Sequence, residues 1–170
     1  KTFMNVNIAL LTVTDTRTFD NDKSGAILVE KIKEANHNLI DRKICKDNKK
    51  DIILILKEWI KNNDIDVVIT TGGTGLTGRD ITPEAIEEIA DKHIPGFGEV
   101  FRTISLKTIG TSAIQSRACA GVASGTYLFA LPGSPSACRD AWDEILVFQF
   151  DYRHLPCNFV ELIPRLDEFG

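Results

Sequence analysis

The segment Val67 to Ala85, VVITTGGTGLTGRDITPEA, restricts this chain more than any other: an apolar strand runs into a glycine-rich turn, an acidic residue follows, and a helix begins. Gly72, Gly73, Gly75 and Gly78 lack a Cβ, so backbone amides can bend toward an anion where larger residues would be strained at positive φ or would block close approach. Thr82 is placed as the N-cap and Pro83 as the first helical residue. The unsatisfied amides of that helix start add partial positive charge beside the turn. Asp80 lies between turn and helix, where a bare phosphate would be repelled but a divalent cation shared with the phosphate would be held. The pattern reads as a phosphate site with its own metal ligand. The plainer alternatives are a ligand-free βα turn and an Asp80 that only bonds its local backbone.

Two familiar glycine motifs fit less well. Gly73, Gly75 and Gly78 spell G-x-G-x-x-G, but a dinucleotide fingerprint opens its helix at once and leads to a strand ending in an acid about 20 residues on. Here the helix waits until Pro83, and the region around Glu99 reads as helix. Gly73 and Gly78 also have the spacing of a P-loop, yet Arg79 and Asp80 stand where that motif needs lysine and a hydroxyl.

At 170 residues and 43% apolar content the chain can fill one sizeable core, so residues 1–170 are expected to form a single domain. No apolar run approaches the roughly 20 residues of a membrane span, and Lys1 to Asn7 has no signal-peptide plan, so a cytoplasmic protein is expected. A lysine start suggests that a few residues precede Lys1. The net charge of -4 argues against a general nucleic-acid surface but leaves room for a small anionic ligand drawn in by local amides, arginines and metal. Cys45, Cys119, Cys138 and Cys157 are spread along the chain without a C-x-x-C pair, which points to reduced, structural thiols rather than a zinc site or a disulfide framework.

Strands alternate with helices. Val6 to Val13 is a nearly unbroken apolar run, as expected of a parallel strand covered on both faces. Ser24 to Ala35 follows as a helix capped by Ser24, with Ile27, Leu28, Ile32 and Ala35 on one face. Asn38 to Cys45 reads as a strand, Asp51 to Asn62 as a helix burying Leu56, Trp59 and Ile60, and Asp66 to Thr71 as the strand feeding the glycine turn. Gly96 to Lys107 is a helix whose stripe Phe97, Phe101 and Ile104 faces either the core or a neighbouring subunit. Arg117 to Val122 and Tyr127 to Leu131 form a hairpin around Ala123 to Thr126. In LPGSPSACRDAW, Leu131 to Trp142, Ser134 caps and Pro135 opens a helix burying Ala137, Cys138, Ala141, Trp142 and Ile145. The order predicts an α/β fold: a three-layer α/β/α sandwich on a doubly wound, mostly parallel sheet with one antiparallel hairpin strand. In such a sheet Thr14-Asp15-Thr16, the glycine loop and the Pro132-Gly133-Ser134 turn converge at the carboxyl ends of the strands, where ligands bind.

Taken together, TVTDTR (Thr12 to Arg17), TTGGTGLTGRDITPEA (Thr70 to Ala85), PGFGEVFR (Pro95 to Arg102), QSRACAG (Gln115 to Gly121), LPGSPSACRDAW and DYRHLPCNF (Asp151 to Phe159) resemble the MoaB/Mog family of molybdenum cofactor biosynthesis over nearly the whole chain. GFGEVFR and the ending DYRHLPCNF resemble the MoaB branch. The resemblance implies a molybdopterin-binding domain that transfers AMP from Mg-ATP to the terminal phosphate of molybdopterin, releasing pyrophosphate. It implies two aspartates serving metal and transfer, carried onto Asp80 and, in the loop after the second strand, Asp47; both are present here, whereas inactive members lack them. Thr14, Asp15, Gly72, Gly73, Thr74 and Gly75 would then take the nucleotide, and Thr82, Ser116, Arg117, Pro132, Gly133 and Ser134 the pterin. Mg2+ is the implied cofactor, ATP the co-substrate, and a homo-oligomer, hexamer or trimer, the implied assembly, with neither nucleic acid nor membrane as partner. Plainer roles stay open: Asp47 capping the next helix, Asp15 tightening its turn, Ser116 buried in the hairpin, Arg117 paired with a carboxylate. An inactive pterin-binding scaffold and a nucleotide-pyrophosphate hydrolase, whose glycine loop is similar, are the alternative functions.

Overall fold

Apolar runs without alternation need cover on both faces, and β1 (Asn7–Val13) and β3 (Val67–Thr71) obtain it at the centre of a six-stranded sheet. The structure is a computed structural model describing residues 1–168. With β2 (Asn38–Cys45), β4 (Lys92–His93), β5 (Cys119–Ala123) and β6 (Thr126–Leu131), the sheet runs in the order β2-β1-β3-β6-β5-β4. The first four of these pair in parallel, and β5 is antiparallel to both its neighbours. From β1 the chain steps outward to β2 and then crosses to the opposite side for β3. The strand order therefore reverses between β1 and β3, and a crevice opens beyond their carboxyl ends.

The helices form the outer layers. α1 (Lys23–Glu34), α4 (Pro95–Ile109) and α5 (Pro135–Ala141) cover one face through Leu28, Ile32, Phe97, Phe101 and Cys138, joined by Trp142 just after α5. α2 (Lys49–Lys61) and α3 (Thr82–Ile89) cover the other through Ile52, Leu56, Trp59, Ala85 and Ile86. α5 runs on through a π-helical turn, Trp142–Leu146, into a last turn, Val147–Gln149. The expected three-layer α/β/α architecture is the one observed, and the stripe of α4 faces the core: Phe97 and Phe101 are buried and stack at 6.3 Å. No helix among the described residues is long and apolar enough to cross a membrane. All four cysteines are free thiols.

Local differences from the sequence reading have identifiable causes. α1 is capped by Asp22, not Ser24: the Asp22 carboxylate accepts from the amide of Gly25 at 3.0 Å and from the Ser24 hydroxyl at 3.2 Å. α2 starts at Lys49 rather than Asp51, because Asn48 takes the capping role and accepts from the Asp51 amide at 3.1 Å. β5 starts at Cys119 rather than Arg117, because the Arg117 amide donates to Thr74 O at 3.0 Å instead of joining the ladder. β4 was not foreseen. It can lie against β5 because Gly121 has no Cβ, which would meet Lys92 O at 2.9 Å. After α5 the chain turns back under the hairpin, held by the buried Asn158, whose amide donates to Tyr152 O and His154 O, both at 3.1 Å. The Tyr127 hydroxyl adds a bond to Phe159 O at 2.9 Å.

Candidate functional site

Because β1, β2, β3 and β6 run in parallel, their four following loops meet along one edge of the sheet. Gly72 locks three of them together, those after β1, β3 and β6. Its amide donates to Leu131 O at 2.9 Å, and a Cβ there would lie 2.2 Å from Val13 O. Its φ of +102° and the +72° of Gly73 turn the chain sharply at the end of β3. The Thr82 hydroxyl, fully buried, donates to Gly72 O at 2.9 Å, and its amide donates to Gly73 O at 3.1 Å. This corrects the expected N-cap: Thr82 is the first residue of α3, Ile81 sits at the cap position without a side-chain bond, and the threonine closes the glycine loop instead. The amides of Gly73, Thr74 and Gly75 donate to no protein group among the described residues, so they remain available to an anion.

The glycines have unequal roles. Gly75 keeps ordinary φ, but its missing Cβ would lie 2.7 Å from Asp80 Oδ2, so the glycine makes room for that carboxylate. Gly78 has neither a positive φ nor any atom within 4 Å of a Cβ.

Asp80 closes the tip of the loop. Its Oδ2 accepts from the Thr77 amide at 2.9 Å and from the Thr77 hydroxyl at 2.8 Å, leaving Oδ1 without a protein partner among the described residues. Asp47 approaches the loop from β2, with Oδ1 3.2 Å from where a Gly73 Cβ would be. Since Asn48 caps α2, the Asp47 carboxylate is not engaged as a cap. Partial burial, and then repulsion from the carboxylates of Asp15 and Asp80, push the Asp47 carboxyl above its usual range. Asp47 thus carries repulsion that a dication sharing Asp47 and Asp80 would relieve. These two carboxylates suit Mg2+, which takes one or two protein carboxylates and completes its shell with phosphate and water. Among the described residues no larger cluster of metal-ligating side chains exists.

Asp15 lies on the opposite lip, and does not tighten its own turn. Thr14 does that, its hydroxyl accepting from the amides of Thr16 and Arg17, both at 3.3 Å. Asp15 instead accepts from the Asp47 amide at 3.1 Å and pairs with Arg79 across the crevice, a bond that holds its carboxyl below the usual range. Arg117 knits the far side of the glycine loop, donating to Gly75 O and Asp80 O, each at 2.8 Å, and pairing with Glu84. Ser116 stays beside it, accepting from the Ala118 amide at 3.3 Å. Gly133 packs against Gly72, Pro132 O accepts from the Thr71 hydroxyl at 2.8 Å, and the Ser134 hydroxyl caps α5. The structure brings all the expected site residues around one loop.

Two contributors were missed by the sequence reading. Asp22 is fully buried and accepts from Thr12 Oγ1 at 2.6 Å and Arg42 Nη2 at 3.2 Å as well as from its cap, tying β1, β2 and α1 beneath the crevice. Its signal was the Asp22-Lys23-Ser24-Gly25 helix start, where Gly25 admits the carboxylate. Arg79 rules against a P-loop in the sequence, yet an arginine beside a glycine loop is itself a phosphate signal.

With this geometry in view, a model described as "Probable molybdopterin binding domain" matches residues 9–152. Molybdenum cofactor biosynthesis protein B of Escherichia coli strain K12 is 48% identical over 157 residues, covering 92% of each chain. A crystal structure of molybdenum cofactor biosynthesis protein B aligns with a TM-score of 0.84 at 42% identity, covering 86% of this chain and 92% of that one. The tungsten cofactor synthesizing protein MoaB from Pyrococcus furiosus aligns with a TM-score of 0.75 at 36% identity, over 84% and 91% of the two chains.

Proposed function

Because the chain belongs to the molybdopterin-binding domain family of molybdenum cofactor biosynthesis protein B, we propose that it adenylylates molybdopterin within that pathway. The observation that carries the reading is the pair Asp47 and Asp80, neither held by a salt bridge among the described residues, flanking the amides of Gly73, Thr74 and Gly75, which donate to no protein group among those residues.

In this reading a terminal phosphate oxygen of molybdopterin attacks the α-phosphorus of ATP, forming a new P–O bond. The α–β bridging bond breaks, and pyrophosphate leaves with the bonding electrons. No covalent protein intermediate is required, so positioning and charge neutralisation supply the rate. Thr14 and the amides of residues 73–75 hold the nucleotide phosphates at the switch point. Ser116, Pro132, Gly133 and the Ser134 turn border the side where the pterin lies, and Thr82 and Arg117 act by holding the loop in shape. Mg2+ bound by Asp47 and Asp80 would neutralise the polyphosphate and the departing pyrophosphate. A cytoplasmic setting belongs to the same reading.

The test is to combine the protein with molybdopterin, Mg2+ and ATP labelled in the α-phosphate. Adenylylated pterin and pyrophosphate should appear together, and Asp47→Asn or Asp80→Asn should each lower the rate by at least about 100-fold, as expected of groups that act on developing charge. Wild-type rates in both variants, or turnover of ATP without pterin, would overturn the assignment.

Assembly into a homo-oligomer, trimer or hexamer, is part of the proposal. It is favoured by a hollow of about 490 Å3 between α4 and the C-terminal segment, lined by Phe97, Val100, Phe148 and Phe159. Val100, Phe148 and Leu155 are exposed apolar groups that a second copy would cover. Native mass spectrometry showing only monomer at micromolar concentration would refute it.

A further inference from the structure

We propose that Arg79 is a polyphosphate ligand that Asp15 holds ready across the crevice, and that the guanidinium changes partner when nucleotide enters. This rests on the adenylyl-transfer reading and adds to it a residue that binds the leaving pyrophosphate portion.

The two residues come from opposite lips of the crevice: Asp15 follows β1, and Arg79 is in the glycine loop after β3. Their contact is a two-point one, Nε to Oδ2 at 3.0 Å and Nη2 to Oδ1 at 2.8 Å. Of the arginines near these loops, Arg117 is bound to two backbone carbonyls and Glu84, and Arg17 donates to Ser24 Oγ at 3.1 Å and Gly133 O at 3.2 Å. These two shape the loops. The guanidinium of Arg79 has no partner but Asp15 among the described residues, and its side chain is 65% exposed against 36% for Asp15.

An exposed ion pair contributes little net stability, so its loss is readily offset. A phosphate edge offers the same planar two-point match as a carboxylate. Asp15 is not left bare by the exchange, because Oδ1 retains the Asp47 amide. The carboxylate therefore acts as a competitor for Arg79 that a doubly or triply charged phosphate chain displaces more readily than a single phosphate group does. Nucleotides carrying a β- and γ-phosphate should gain from Arg79, and AMP should not. Arg79 also neighbours Asp80 in the chain, so cation and guanidinium would approach the same polyphosphate from adjacent residues.

Titration calorimetry with inorganic pyrophosphate and with ATP, each with Mg2+, tests the exchange on the full chain. Arg79→Gln should weaken both about tenfold, and Arg79→Lys should fall between it and the wild type, since charge is kept and the fork is lost. Asp15→Asn should tighten both by about two- to fivefold, the size of an exposed pair that no longer competes. The double variant should match Arg79→Gln, because the competition exerted by Asp15 runs through Arg79. Equal urea midpoints establish that each variant is folded. Asp15→Asn weakening pyrophosphate as Arg79→Gln does would overturn the proposal and make Asp15 a ligand in its own right. Tightening that survives in the double variant would reduce Asp15 to a general charge effect and overturn it as well. A wild type that transfers AMP while Arg79→Gln binds unchanged refutes the exchange alone; a wild type that binds neither probe refutes the adenylyl-transfer reading and the exchange together.

Discussion

Replacing the loop glycines one at a time by alanine should give a graded series whose order follows from where each Cβ would fall. At Gly73 the methyl would sit 2.3 Å from Thr82 Oγ1 and 3.2 Å from Asp47 Oδ1, at a φ of +72°. Left-handed backbone costs about 1–2 kcal/mol for a residue with a Cβ. Displacing the Thr82 hydroxyl removes its bond to Gly72 O, about 1 kcal/mol more. The sum, about 2–3 kcal/mol, shifts the urea midpoint down by about 1 M if the slope is near 2 kcal/mol/M. Gly72→Ala should be worse, about 4 kcal/mol or more, because the obstacle 2.2 Å away is the Val13 carbonyl, a backbone atom that cannot rotate aside. Gly75→Ala meets only the end of a flexible side chain, Asp80 Oδ2 at 2.7 Å, so stability should change by less than about 1 kcal/mol while AMP transfer falls with the displaced Asp80. Gly78→Ala has open space and should be neutral or stabilising by up to about 1 kcal/mol through the unfolded chain. Urea unfolding followed by far-UV circular dichroism, with AMP transfer measured on the same preparations, reads both axes. If Gly78→Ala proved as harmful as Gly73→Ala, or if Gly75→Ala lost stability and activity in proportion, the assignment of distinct roles to these glycines would be wrong.

His37 is 6% exposed, its Nδ1 accepts from the Val6 amide at 3.0 Å, and burial pushes its pKa down from 6.5 to about 4, with Asp151 opposing weakly. The unfolded chain therefore binds a proton that the folded one refuses between those values; this contribution is complete above pH 6.5 and lost as pH falls to about 4, on the order of 3 kcal/mol. A folded-state NMR titration of His37 with a midpoint near 6.5 would contradict this. Burial likewise raises the thiols of Cys45 to about 12 and of Cys119 and Cys138 to about 11, so iodoacetamide at pH 8 should label the exposed Cys157 and leave the other three unmodified by mass spectrometry. Rapid labelling of Cys138 without unfolding would show that α5 does not pack as described.

What was legible in advance was what short-range patterning carries. An unbroken apolar run marked β1 as a doubly covered strand, and the alternation of strand with helix gave the sheet its winding. The Ser124-Gly125 turn, with φ of +46° and +86°, gave the hairpin. Glycine spacing and the following Asp80 pointed to the candidate site, since a missing Cβ is a property of the residue itself. Resemblance, rather than spacing, supplied Asp47. Caps were misjudged at Ser24 and Thr82 because several polar side chains near each helix start could have accepted the first amides. Only the packed loops decide: Asp22 accepts at α1, whereas at α3 no side chain does and the Thr82 hydroxyl turns to Gly72 O.

Tertiary structure alone decided how the loops divide their work. Parallel pairing brings the ends of β1, β2, β3 and β6 to one edge, and from there Thr82 closes on Gly72, Arg117 reaches back over forty residues of chain to Gly75, and Asp15 meets Arg79. None of these partners is periodic or near in sequence, so no local pattern records them. The residues that can bend around a phosphate are written in the chain. Which of their polar groups remain free to touch one depends on what the fold has already bonded.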